Sequence, residues 1–194
     1  MGDMHIKDLV TKNRSRRRFF QHVTVERTTL EELIDLARIS ASAGNLQPLK
    51  YFLSNDPATN QIIFDHISWA GYLEDWPGPP NGERPSAYII VLGDGTICQS
   101  FGIDLGIAAQ SILLGAVEKG LGGCIIGSTR KLELSASLKI PSRYDILITI
   151  AIGKPKEQVE IEAIGIEGDI KYWRDEAGVH HVPKRSLEEI IIRL

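Results

Sequence analysis

Four clusters of residues have the types and spacing to do chemistry. The first is Arg14-Ser15-Arg16-Arg17, inside a run from Lys12 to Arg18 that carries five cations and no acid. A phosphate brings roughly two negative charges and several acceptor oxygens. The planar fork of an arginine matches it, and a serine hydroxyl adds one more donor. On a turn, the side chains of Arg14 and Arg17 meet on one face. The same run also fits a plain solvated charge segment or a nucleic-acid contact.

The second cluster is Ser-Ala-Ser-Ala-Gly-Asn-Leu-Gln-Pro over residues 40–48. Its small residues let a backbone approach a ligand ring. Asn45 and Gln47 supply amide donors and acceptors. A polar loop closing a helix has the same composition. The third is Gly120-Leu-Gly-Gly-Cys-Ile-Ile-Gly127. Its glycines permit close approach of a flat ligand, and equally a tight turn. The fourth is His180-His181-Val-Pro-Lys184-Arg185. Paired histidines suit a metal, but no acid or cysteine stands at ligand spacing. A solvent-exposed segment is the simpler expectation there. Lys184 and Arg185 offer a second cationic grip on a phosphate.

Several machines are missing from the sequence. The nearest approach to GxGxxG, Gly120-Leu-Gly-Gly123, fails at the last glycine. There is no Walker A lysine, no GxSxG elbow and no HExxH.

The elements that must position these clusters follow from periodicity and punctuation. A short helix is expected over residues 4–12. Thr29 and Glu32 form a capping box ahead of Leu30, Leu33, Ile34 and Ala37, which predicts a helix to about Ile39. A strand is expected over residues 51–53. Asp56-Pro57 starts the next helix. Residues 71–85 hold seven Gly or Pro in fifteen, so a long loop carrying Tyr72 and Trp76 is expected. Residues 87–92 form a buried strand. Residues 99–119 form the longest helix, ended by Gly120. Its residues are apolar nearly all round, so burial on every side is expected. In a chain this small, that calls for a partner subunit.

A strand over 123–126, a helix over 132–138 and a strand over 145–152 complete the periodic part. Residues 156–183 look like a polar tail. Residues 186–194 are ambiguous. Ser186 and Glu189 form a capping box, whereas Ile190-Ile-Ile192 favours a strand. The low strand count points to an α+β class rather than a doubly wound sheet.

Length and composition bound the rest. The 194 residues suit one domain, residues 1–194. With 43% hydrophobic and 24% charged residues, the chain is neither disordered nor a disulfide scaffold. The net charge of -3 hides an asymmetry. Outside residues 12–18, seventeen basic residues face twenty-five acidic ones. A generally basic nucleic-acid binder is therefore disfavoured, and a local anion site favoured. No signal peptide is expected, and no apolar stretch reaches the ~20 residues that span a bilayer. Two cysteines, Cys98 and Cys124, suit a reducing cytoplasm as free, buried thiols.

Jointly, the clusters resemble the nitroreductase family of FMN-dependent oxidoreductases. The resemblance runs through Arg14-Ser-Arg-Arg17 with Phe19 after it, and through Asn45-Leu-Gln-Pro48. It continues in a central helix ending Gly120-Leu-Gly122, a strand running to Gly127, and the pair Lys184-Arg185. The order matches over essentially the whole chain.

The resemblance implies an α+β nitroreductase-like fold, with a central, mostly antiparallel sheet flanked by helices, in an intertwined homodimer. The long helix would pack against its mate. The Ile-rich end would cross as a strand to the partner's sheet. FMN would sit at the interface. Arg14, Ser15 and Arg17 would hold its phosphate and ribityl chain, with Lys184 and Arg185 closing on it and Arg16 beside them as a further cofactor-binding candidate. Ser42, Ala43 and Asn45 would come from the other subunit. Ile125, Ile126 and Gly127 would run beside the ring. No carboxylate flanks Gly127, so backbone groups must serve near N5.

The cationic run exceeds what one phosphate neutralises. Arg16 and Arg18 are left to pair with acids or to guide an anionic nicotinamide cofactor. The implied activity takes hydride from NADH or NADPH through flavin to a small-molecule oxidant, a nitro compound or quinone, by ping-pong. The cofactor carries the chemistry, so no catalytic side chain and no metal is expected. The alternatives are a specialised branch (flavin fragmentation, dehalogenation or azoline oxidation) with residues 71–85 as lid, or a non-enzymatic anion- or RNA-binding module.

Overall fold

The computed structural model describes residues 4–164 and 168–193. Four strands form the central sheet: β1 (Leu49–Ser54), β2 (Ala87–Asp94), β3 (Gly122–Ile126) and β4 (Tyr144–Gly153). Their spatial order is β1-β2-β4-β3, and every pairing is antiparallel. The expected α+β architecture is present.

β2 is buried along its whole length. Both faces of the sheet are covered, which explains its continuous apolar run. Side chains alternate across a strand. Ala87, Ile89 and Val91 meet Leu30, Leu33 and Ile112 on one face, while Tyr88, Ile90 and Leu92 meet Phe19, Ile63 and Leu134 on the other.

The first face is built by α2 (Arg27–Ile39) and α4 (Gly102–Glu118), the second by α3 (Pro57–Asp65) and α5 (Lys131–Ser137). α1 (Ile6–Lys12) lies outside this core, with none of its residues buried. α3 starts as expected: Asp56 accepts from the Thr59 amide at 2.8 Å, with Pro57 following the cap. α4 ends on Gly120, whose φ of 69° suits a residue without a Cβ.

α2 starts differently from the capping-box expectation. Its cap position is Glu26, with no side-chain cap bond, and Thr29 lies inside the first turn. Arg27 anchors the start through Glu31 at 3.0 Å and the Leu53 carbonyl at 2.9 Å. Glu32 pairs with Lys119 instead of reaching back.

α4 is only partly covered by its own chain. It is not buried on all sides within this chain: Gly102, Ile103, Gly106 and Gln110 are exposed, Ile103 to 70%. Its other side packs so closely on α2 that a Cβ on Gly115 would meet Leu36 Cδ1 at 2.3 Å.

Residues 156–183 are not a simple tail. They carry β5 (Val159–Ala163), β6 (Trp173–Arg174) and most of β7 (His180–Lys184), a second sheet of order β5-β7-β6. β5 runs parallel to β7, and β6 antiparallel. His181 binds it together: it stacks on Trp173 at 4.1 Å and hydrogen-bonds Glu162 and Asp175.

The C-terminal expectation of a strand is corrected too. α6 (Leu187–Ile190) is a short helix whose first turn is capped by the Ser186 hydroxyl on the Glu189 amide at 3.2 Å. The Ser186 cap outweighs the β-branched run, because a local bond needs no partner strand, while the Glu189 carboxylate pairs with Arg185 rather than completing the box. Leu194 lies outside the described residues. Both cysteines are free; Cys124 is buried as expected, but Cys98 is only half-buried.

Candidate functional site

The cationic run is extended, not a turn. It lies along the edge strand β3 and continues beside the end of β4. Arg16 donates its amide to the Gly123 carbonyl at 2.9 Å, and Phe20 to Lys154 at 2.8 Å. Lys156 returns a bond to the Arg18 carbonyl at 2.9 Å. Phe19 fills the core, fully buried.

Side-chain alternation sorts the charges. Arg16 donates from Nη1 to the Glu157 carbonyl at 2.7 Å. Arg18 grips Glu83 with both Nε and Nη2, and Lys156 adds a third bond to that carboxylate at 2.7 Å. These bonds, Arg18's first, hold Glu83 down to about 2. Arg16 is thus removed from the cofactor-binding candidates, and Arg18 is spent on an acid. That accounts for the surplus charge in the run.

Arg14, Ser15 and Arg17 do meet in one hollow of about 350 Å³, within the range of small-molecule sites. Lys184 enters from β7 and Ile125 from β3. Asn13, Gln110, Tyr172 and His180 complete the polar lining. Arg14 donates from Nη2 to Val10 at 3.0 Å, at the end of α1, and its Nε is buried without a partner among the described residues.

Arg17 is held from several sides. Its amide donates to the Glu157 carboxylate, and its guanidinium lies 4.6 Å from the Tyr172 ring centroid. Nη1 reaches His180 Nε2 at 3.1 Å. His180 and His181 are buried, against the expectation of a solvent-exposed segment. The alternation of β7 sends His180 to the hollow and His181 to the carboxylates of the small sheet.

Other expected site residues lie elsewhere. Arg185 pairs with Glu189. Ile126 points into the core, and Gly127 is exposed outside the hollow. Ile125 is 45% exposed beside it. Ser42 lines a separate hollow with Asp104 and Tyr51, while Ala43 and Asn45 are exposed. Buried Asp104 shapes that loop, accepting from the Ser42 hydroxyl and from the Ala43 amide at 2.9 Å.

Sequence reasoning missed Tyr172, Asn13 and Gln110, and it singled out His180 without placing it beside Arg17. Gln110 did leave a signal, as a polar break in an apolar helix; Asn13 reaches it at 3.3 Å. Tyr172 also contacts the long loop over 71–85: its ring is 4.9 Å from Tyr72, while Arg174 covers Trp76 at 4.8 Å.

Comparison with known proteins agrees with this architecture. Residues 99–154 match the model of the nitroreductase family. No curated protein matches the chain in sequence. Among solved structures, a nitroreductase family protein from Streptococcus pneumoniae superposes with a TM-score of 0.71 at 16% identity, covering 98% of this chain and 100% of that one. One from Clostridium novyi gives 0.64 at 21% identity, over 96% and 99%. The NADPH:FMN oxidoreductase of Vibrio harveyi, solved with NAD+, gives 0.64 at 21% identity, over 83% and 74%.

Proposed function

From the nitroreductase fold of this chain, we propose that it is an FMN-dependent oxidoreductase drawing on NADH or NADPH. The carrying observation is the convergence of Arg14, Ser15, Arg17 and Lys184 on one hollow beside β3. The fit to FMN is chemical. Three cations and a hydroxyl suit a phosphate. The buried, unpartnered Nε of Arg14 and Nδ1 of His180 are donors that a ligand can satisfy. Arg14, Ser15, Arg17 and Lys184 would hold the phosphate and ribityl chain. Ile125 and the adjoining β3 backbone would border the ring.

When bound, FMN supplies hydride acceptance and return at N5. The chain's own residues then bind, orient and exclude water. No carboxylate flanks Gly127, so proton-bearing contacts near N5 fall to backbone amides. The oxidant, a nitro compound or a quinone, would follow the nicotinamide into the same space, giving ping-pong kinetics.

The chain acts as one domain and, in this proposal, as a homodimer. The exposed side of α4, with Ile103 and Gly106, is a surface for a second copy. Ser42, Ala43 and Asn45 line no part of the Arg14 hollow of their own chain, as expected if they serve the other copy's hollow. Cytoplasmic location fits two unpaired cysteines. No helix among the described residues is long and apolar enough to cross a membrane. Engagement of Arg16 and Arg18 within the chain argues against a nucleic-acid surface.

A visible spectrum and an FMN titration test the proposal. A colourless protein that takes up no added FMN would overturn it. Turnover with NADH or NADPH against a nitroaromatic and a quinone then tests the oxidant class. A specialised branch is favoured only if both oxidants fail, with Tyr72 and Trp76 of the 71–85 loop as its lid residues.

A further inference from the structure

A second hollow lies on the other side of the sheet, between α3 and the start of β2, and shares no residue with the Arg14 hollow. Its volume is about 280 Å³. Three of its lining residues each carry a buried polar atom with no hydrogen-bond partner among the described residues: Arg84 Nε, Ser86 Oγ and Tyr88 Oη. A buried polar group left unpaired is destabilising, so three around one cavity call for an occupant. Tyr88 is 1% exposed, and burial raises its pKa far above the usual phenol range. Its hydroxyl therefore stays a neutral donor.

The wall is held in place before any ligand arrives. Arg84 lies over the Phe64 ring at 4.0 Å and donates from Nη1 to Gln61 at 2.7 Å. It makes no ion pair among the described residues. Asn60 pins the Ser86 carbonyl at 2.8 Å and takes the Ser54 hydroxyl at 2.7 Å. The rest of the lining includes Val25, Pro57 and Phe64, which are apolar. Glu26 also lines the hollow but is exposed, placing its carboxylate at the rim.

We propose that this hollow binds a small organic monocarboxylate, its carboxylate taken by Arg84, Ser86 and Tyr88 and its apolar body by Phe64 and Pro57. Three unpaired groups able to donate, one of them cationic, on the walls of one hollow favour an acceptor-only group. The rim charge of Glu26 disfavours a dianion such as phosphate. One guanidinium matches one negative charge.

The test is calorimetric titration of the purified protein, with whatever cofactor it carries, using acetate, butyrate and benzoate. At least one should saturate at one per chain. Benzamide, which lacks the charge, should bind at least about tenfold more weakly. Tyr88→Phe and Arg84→Gln should each weaken the carboxylate by about tenfold or more, while Arg14→Ala leaves it unchanged. Arg84 is half-buried, so Arg84→Gln carries the test if Tyr88→Phe fails to fold. Saturation by none of the three acids, equal binding of benzamide, or equal affinity in the Arg84 variant overturns the site. Sensitivity to Arg14→Ala overturns it too, by placing the ligand in the other hollow. None of these outcomes depends on flavin binding, so the two proposals fail separately.

Discussion

Arg17 donates from Nη1 to Nε2 of His180 across 3.1 Å, and this fixes the tautomer of a fully buried histidine. An arginine has no acceptor, so Nε2 must accept and the ring proton sits on Nδ1. Burial, and then the charge of Arg17, push His180 down to about 4. His181, the next residue, shifts the other way. Burial opposes its charge, but hydrogen bonds to Asp175 and Glu162 outweigh that and raise its pKa.

The two histidines should therefore give opposite pH slopes. In the unfolded chain both titrate near the ordinary ~6.5. Below that value the unfolded state protonates first at His180, so its contribution falls as pH drops from about 6.5 to about 4. The contribution of His181 is complete below about 6.5 and is lost as pH rises through its raised folded value. Melting temperature against pH checks this. His180→Gln should flatten the acid side relative to wild type, and His181→Gln the neutral-to-alkaline side. Unchanged profiles in both would refute the assignment.

The run from Arg14 to Arg18 should divide by function. Arg14→Ala removes a charge-assisted contact to the proposed phosphate, about 1.5–3 kcal/mol, or roughly ten- to hundredfold in FMN Kd. Arg18→Ala should leave that Kd unchanged. It strips Glu83 of its two-pronged partner, so the melting temperature should drop instead. Fluorescence titration and thermal melts on the same two variants separate these effects.

This division marks what could be read from the sequence and what could not. The cluster itself was legible, because four guanidiniums in five residues have few uses. Which ones face a ligand depends on the extended path beside Gly123, a pairing between residues over a hundred positions apart. Strands β2 and β4 and helix α4 were legible from local pattern and from stops such as Gly120. The small sheet was not: β5 and β7 pair across about twenty residues, and its glue is His181 with Glu162 and Asp175, polar residues that mimic a tail. Tyr172 lines the site only because that sheet brings it to Arg17.

Two glycines on α4 should respond oppositely to the same change. A Cβ on Gly115 meets Leu36 at 2.3 Å and Leu33 at 3.1 Å, whereas one on Gly106 meets nothing within 4 Å. Gly115→Ala forces α2 and α4 apart and should cost about 1–3 kcal/mol through overpacking. That is more than the helix-propensity gain of roughly 1 kcal/mol. Gly106→Ala keeps the gain within a single chain, so any destabilisation there reports contact with a second chain. Urea unfolding at two protein concentrations distinguishes these cases.

The open side of α4 gives the sharpest test of assembly. Ile103 is 70% exposed in the single chain, so Ile103→Asp removes little of its own core. Exposed substitutions usually stay within about 0.5 kcal/mol. If a second copy covers this face, the new carboxylate is buried without a partner, which costs several kcal/mol. The variant should then elute as a folded monomer where the wild type is a dimer, by light scattering. FMN affinity should fall at the same time, since Ser42, Ala43 and Asn45 line no part of the Arg14 hollow within their own chain and are proposed to serve the other copy's. A monomer that keeps full FMN affinity would mean that one chain suffices for the cofactor. A variant that stays dimeric would place the interface away from Ile103.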